Sequence, residues 1–150
     1  LSTTSKDRLR LWLKVLKATK AVESEVRENL RKDFATTLPR FDVMAALMQH
    51  KKGLKMSELS GVLKVSNGNV TGIVERLVED GHVQREKVEG DRRANLVRLT
   101  AAGQAEFSRQ AEAHEGWIDA AFDGLTADQA QGIAESLETV ARRLEKGGKA

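Results

Sequence analysis

Apolar residues recur along the first third of the chain at helical spacing. Leu9, Trp12, Leu13, Leu16, Val22, Val26 and Leu30, with Val15 widening the stripe, predict one long helix from about residue 6 to 32. Thr36-Thr37-Leu38-Pro39 contains the only proline of the chain, at a position a helix start tolerates. Phe41, Val43, Met44, Leu47 and Met48 continue as a second helix that Gly53 brings to an end. A third, short helix opens at Ser57 as its N-cap and carries Leu59, Val62 and Leu63 to a turn around Val65 and Ser66. A fourth runs from about Asn67 to Asp80, with Val70, Ile73, Val74 and Leu77 inward and Gly81 as its stop.

The period then changes from helical to alternating. Residues 82–87 and 95–99 predict two strands, joined by a charged tip over 88–93. Thr100 caps a fifth helix through Phe107, Ala111, Trp117, Ile118 and Phe122. Thr126 and Gln129 fit a capping box for a sixth helix, with Ile133, Leu137, Val140 and Leu144 on one side and a frayed tail from Lys146. The expected fold is mainly α, with a two-stranded wing following a helix-turn-helix over residues 38–100. Residues 1–37 and 101–150 form flanking helices whose apolar stripes call for a second copy of the chain, a homodimer, rather than a monomeric bundle.

Composition narrows the chemistry. The chain has 150 residues, enough for a core without staples, and no cysteine, which excludes disulfides, thiolate metal sites and thiol catalysis. Four Phe, two Trp and no Tyr leave little to stack single-stranded bases. Leu1 to Arg10 holds no signal-like apolar run and no stretch is apolar enough for a membrane span, so the cytoplasm is expected. The formal charge is +3, and residues 51–99 hold ten Lys plus Arg against seven Asp plus Glu, so the whole excess falls in the helix-turn-helix and wing.

That location suits double-stranded DNA. A helix entering the major groove presents its first turns to base edges, and here those turns offer Ser66, Asn67, Gly68, Asn69, Thr71 and Gly72. Asn bonds an adenine edge bidentately, Ser and Thr bond bases or phosphates, and the two glycines lower helix propensity in a way that close approach to another surface would explain. Arg76, one turn further, is placed for a contact at the groove edge. Arg92 and Arg93 at the wing tip, with Asp91 to orient an arginine, fit the narrow, negative minor groove. Lys51, Lys52, Lys55, Lys64, Arg85, Lys87 and Arg98 are further candidates for phosphate contacts.

Leu38-Pro39-Arg40-Phe41-Asp42-Val43, Met56-Ser57-Glu58-Leu59, Ser66 to Leu77, and Asp91-Arg92-Arg93 leading to Leu99-Thr100 together resemble the MarR family of bacterial winged-helix regulators. The resemblance covers nearly the whole chain. It implies an obligate homodimer whose two lobes read a pseudo-palindromic operator, and a repressor released by a small molecule bound between the dimerisation helices and the lobe. By position it makes Asn67, Asn69 and Thr71 base-facing and Arg93 the minor-groove arginine steadied by Asp91. The absence of cysteine sets the chain apart from the peroxide-sensing branch.

Leu11-Trp12-Leu13-Lys14 with Thr37 to Asp42 is similar to a subgroup tied to aromatic catabolism, some of whose members answer to hydroxycinnamoyl-CoA thioesters. A small aromatic acid or acyl-CoA thioester would then meet Arg8, Arg10 and Arg40 for charge and Trp12 and Phe41 for the ring, although core packing and surface ion pairs explain the same residues. No cofactor, metal or catalytic constellation is expected. The rival readings are a winged-helix protein-interaction module and a zinc-responsive regulator using His50, His82 or His114 with Glu115.

Overall fold

The computed structural model describes residues 2–63 and 67–147, with only the backbone of Asn67, Gly68 and 91–94. The elements are α1 (Thr3–Phe34), α2 (Leu38–Gln49), β1 (Leu54–Lys55), α3 (Met56–Leu63), α4 (Asn67–Glu79), β2 (Val83–Val88), β3 (Asp91–Leu99), α5 (Ala101–Ala121) and α6 (Ala127–Gly147). They fall into two compact units, Leu1–Glu115 and Gly116–Ala150.

Local chemistry sets most boundaries of the first unit. Ser2 caps α1 by accepting from the Ser5 amide at 3.1 Å, and α1 ends where Ala35 turns left-handed at φ 50. Thr37 caps α2 through the Arg40 amide, with Pro39 in the first turn, where its missing N–H has no helical partner to lose. α4 closes on Gly81, φ +80, as the His82 amide donates to the Leu77 carbonyl and the Gly81 amide to that of Val78. This is the paired-bond ending that glycine favours, because it carries no Cβ into the left-handed region.

One expectation about elements is corrected, and one strand is added to the expected pair. Ser57 is not the cap of α3: the helix begins at Met56, and Glu58 in its first turn accepts from the Lys55 amide at 2.9 Å. A carboxylate reaching back to the cap amide satisfies that donor as a hydroxyl cap would satisfy one further in. The sheet, among the described residues, has three strands in the order β1-β3-β2, with Leu54 opposite Val97 and Lys55 opposite Leu96. A two-residue strand carries no alternation of its own, and only its partner in β3 defines it.

The core of this unit lies between α2, α4, the C-terminal half of α1 and the inner face of the sheet. Leu30, Val43, Met44, Leu47, Leu59, Val70, Val74 and Val97 are essentially inaccessible. α5 is locked to the α4–β2 turn. The Thr100 amide donates to the His82 carbonyl, the Thr100 hydroxyl donates to the Gly81 carbonyl at 2.7 Å, and that hydroxyl accepts from the Gly103 amide at 2.9 Å. A Cβ at Gly103 would fall 1.9 Å from the His82 carbonyl oxygen, so only glycine permits this approach.

The second unit holds the end of α5 and all of α6. The expected capping box is present: Thr126 and Gln129 exchange hydrogen bonds of 2.9 and 3.2 Å between amide and side chain. No residue of α6 is buried, and Ile133, Leu137, Val140 and Leu144 are all exposed. No helix among the described residues is long and apolar enough to cross a membrane.

Candidate nucleic-acid interface

The segment between α3 and α4 that contains Lys64 and Ser66 lies outside the described residues. α4 itself begins at Asn67, and Val70, Val74 and Leu77 point into the core. At 100° per residue this inward face leaves Asn69, Thr71, Gly72, Glu75 and Arg76 outward, and all five are exposed. A Cβ added at Gly72 would meet nothing within 4 Å. Packing in this chain therefore does not require glycine there, and its helix-weakening presence matches a surface that another molecule approaches.

The hairpin differs from the expected open tip. β2 and β3 are joined by Glu89-Gly90, with Gly90 at φ +84, and Asp91 already pairs with Val88. The next pair is Lys87 with Asn95, so the register shifts there and the backbone of residues 92–94 is extra to the ladder. Arg92 and Arg93 thus sit on a bulge at the start of β3 rather than in the turn. A bulge re-aims side chains out of the sheet's alternation while both strands stay anchored.

Of the remaining basic candidates, several are held within the fold. Arg98 is bonded to Glu86, which also accepts from Gln84 at 2.8 Å, and the Arg98 Nε is buried without a partner. The hydrogen bond from Arg98 holds the Glu86 carboxyl below its ordinary range. Arg98 is therefore a brace between the wing strands. Arg85 reaches Glu75 of α4 at 3.8 Å, and Arg76 pairs with Asp80 at 3.3 Å. Lys51, Lys52, Lys55 and Lys87 are exposed.

The two flanks of α4 carry opposite charge. Toward β2, a shallow groove is lined by Glu75 and Glu79 with Val78, Val83 and Arg85. Toward α2, a cavity of about 660 Å³ presents Arg27 from α1, Arg40 from α2 and Arg76 from α4. Thr37, Pro39, Asn69, Gly72 and Ile73 complete its lining, which includes no carboxylate.

The five residues expected to hold an aromatic effector do not converge within the chain. Phe41 is core, stacked with His114 at 4.8 Å and tilted against Phe107 at 5.3 Å between ring centroids. Arg8, Arg10 and Trp12 are exposed near the start of α1, where Arg10 pairs with Asp7. Arg40 shares its cavity with Arg27, which stands about 28 Å further along α1 than Arg8 at 1.5 Å per residue. The length of α1 thus separates Arg8, Arg10 and Trp12 from the cavity that holds Arg40.

The histidines are equally dispersed. His50 ends α2, the His82 backbone serves the turn before β2, and His114 stacks on Phe41. Among the described residues no three His, Asp or Glu side chains come together as a metal ion would need.

Residues 36–94 match the profile of the MarR family. Over 149 residues the chain is 30% identical to an uncharacterized HTH-type transcriptional regulator, YfiV, of Bacillus subtilis, covering 99% of this chain and 90% of the relative. Its fold superposes on the crystal structure of a MarR family transcriptional regulator from Silicibacter pomeroyi with a TM-score of 0.79 at 30% identity, covering 96% of this chain and 99% of that one. Sco3205 from Streptomyces coelicolor, a MarR family regulator solved in complex with DNA, matches with a TM-score of 0.80 at 26% identity over 96% and 91% of the two chains. None of this singles out a subgroup responsive to aromatic acids or CoA thioesters. Because the agreement extends from α1 to α6 and holds in sequence as well as in backbone, the chain belongs to the MarR family, whose members here are transcriptional regulators and not enzymes.

Proposed function

We infer that the protein is a homodimeric, sequence-specific regulator of transcription in which residues 38–100 read double-stranded DNA and residues 1–37 with 101–150 pair two chains. The observation that carries this reading is the exposed polar row of α4, with Asn69, Thr71 and an unobstructed Gly72, next to a hairpin whose bulge bears Arg92 and Arg93. In that arrangement Asn69, Thr71 and Gly72 face bases, while the expected base contacts of Ser66, Asn67 and Gly68 fall outside the described side chains. Arg76 lies at the groove edge, and Arg93, steadied by Asp91, enters the minor groove. The DNA-bound Sco3205 relative supports it by analogy of fold. Pairing is supported by apolar surface left uncovered in one chain: Leu9, Leu11, Trp12 and Leu13 of α1, and the α6 stripe. A dimer seated on a promoter would exclude other proteins from that DNA, which is the physical basis of repression. The residues expected to hold an aromatic effector do not meet within one chain, so an effector site of that composition would need both chains of the dimer.

Selection of duplexes from a random pool tests it. The expected outcome is a pseudo-palindrome with half-site centres about 34 Å apart, one DNA turn, bound with an affinity that falls steeply as salt rises. Arg93→Ala should weaken binding by up to about 3 kcal/mol with folding intact, and Asn69→Ala should relax preference at one base position. Enrichment of no sequence, with binding insensitive to salt, would instead favour a protein-interaction module.

A further inference from the structure

The geometry points to a second DNA-gripping surface that reaches beyond the winged helix: Arg27 of α1, together with Arg40 of α2 and Arg76 of α4, forms a track for the phosphate backbone that borders the groove entered by α4. This rests on the reading of α4 as the DNA-facing helix, and it extends the footprint to a helix otherwise given over to pairing.

Three features of the cavity between α1, α2 and α4 carry the inference. Its guanidinium groups come from three different helices, and no carboxylate belongs to the lining, so the lining itself carries only positive charge. The other flank of α4 presents Glu75 and Glu79, offset in part by Arg85 beside Glu75, so it favours a phosphate strand less than the arginine side does. Asn69, Gly72 and Arg76 line the cavity and also belong to the exposed face of α4, so a strand running beside that face passes along the cavity mouth.

Arg27 and Arg76 are also exposed, and Arg40 is half-buried beside them. Arg27 makes an exposed pair with Glu23 at 3.5 Å and also lies near the Asp42 carboxyl, and Arg76 makes an exposed pair with Asp80 at 3.3 Å. Surface pairs of this kind are weak and exchange readily for phosphate oxygens, which a guanidinium can hold with two parallel N–H bonds. The start of α2, at the same cavity, adds the partial positive charge of a helix N-terminus, although Pro39 lacks an N–H and the Arg40 amide is taken by Thr37. Arg40, grouped from sequence with an aromatic effector, is thereby reassigned to the DNA backbone.

Because backbone contacts are blind to sequence, a mixed-sequence duplex about three helical turns long serves as the probe, titrated by fluorescence anisotropy against salt. Each of Arg27→Ala and Arg40→Ala should flatten the slope of log Kd against log salt by about 1, and the double variant by about 2. Arg27→Lys and Arg40→Lys should keep most of the slope, and thermal melting should show each variant folded. Wild-type slopes in folded alanine variants would overturn the track while leaving DNA binding itself intact. A wild-type protein with no salt-dependent affinity for duplex would fail the underlying reading instead. Loss of benzoate or inorganic phosphate binding at constant ionic strength, with an unchanged DNA slope, would make the cavity a small-anion site and also overturn the inference.

Discussion

The unit Leu1–Glu115 and the unit Gly116–Ala150 are both largely helical, yet they solve the burial of apolar surface differently. The first closes on itself: α2, α4 and the sheet bury Met44, Leu47, Val74 and Val97, and α1 contributes Val26 and Leu30. In the second, α6 buries no residue, and a stripe of four large aliphatic side chains stands in solvent. Amphipathic patterning alone therefore does not say where a helix's apolar face is satisfied. α1 makes the point within one helix, with its C-terminal half in the core and Leu9, Trp12 and Leu13 exposed.

If α6 is completed by a second copy, charge on its stripe should have the largest effect. The double change Ile133→Asp with Leu137→Asp should weaken self-association by more than about 4 kcal/mol, through burial of unpaired carboxylates, while the first unit stays folded. Sedimentation equilibrium that returns the wild-type mass for the variant would break the comparison from the α6 side. Leu30→Ala should cost about 3 kcal/mol of folding stability by opening a cavity in the first unit. Its cost in urea denaturation should be the same at all protein concentrations, whereas the α6 variant should act through concentration.

The two threonine caps sharpen the contrast at a smaller scale. Thr126→Ala removes one helix cap and should cost about 1 kcal/mol. Thr100→Ala removes a cap and also the hydroxyl's bond to Gly81 that ties α5 to the α4–β2 turn, so it should cost about 2 kcal/mol. Equal losses in paired melts would mean that the tie contributes nothing.

The smallest effect concerns Asp42. Loss of hydration raises its pKa, opposed by Arg27, reinforced by Glu23 and opposed again by His114. The folded chain thus holds this proton to higher pH than the unfolded chain does. Its ionisation penalty is absent below the ordinary aspartate value of 3.8, develops as pH rises through the raised folded value, and is complete above it. Asp42→Asn should therefore stabilise the protein by less than about 0.5 kcal/mol at neutral pH, with the gain vanishing in acid. A gain that persists unchanged in acid would show that titration is not its source.

Much of the architecture was legible because it rests on local rules. Pro39 in a first turn, Gly81 after a last turn, Thr100 and the Thr126–Gln129 pair as caps all act over three or four residues, and each is found where its chemistry belongs. The start of α3 escaped notice because two residues compete for one role there: Ser57 is the commoner cap type, yet Glu58 reaches the Lys55 amide. For the candidate interface, the outward row of α4 followed directly from its inward one. The fate of the arginines did not, since Arg85, Arg98 and Arg76 are equivalent in sequence, and only Arg98 acquires a partner across the hairpin.

Hydrophobic period, caps and turn residues determined the order and kind of the helices, the presence of the hairpin and the polar face of α4, since each depends on residues close in the chain. Tertiary structure alone decided that Leu54–Lys55 joins the sheet, that residues 92–94 bulge, that Phe41 is core, and that Arg27, Arg40 and Arg76 share one cavity. Those outcomes depend on pairings between distant segments, whose partners are chosen by the packing of the whole unit and not by any spacing along the sequence.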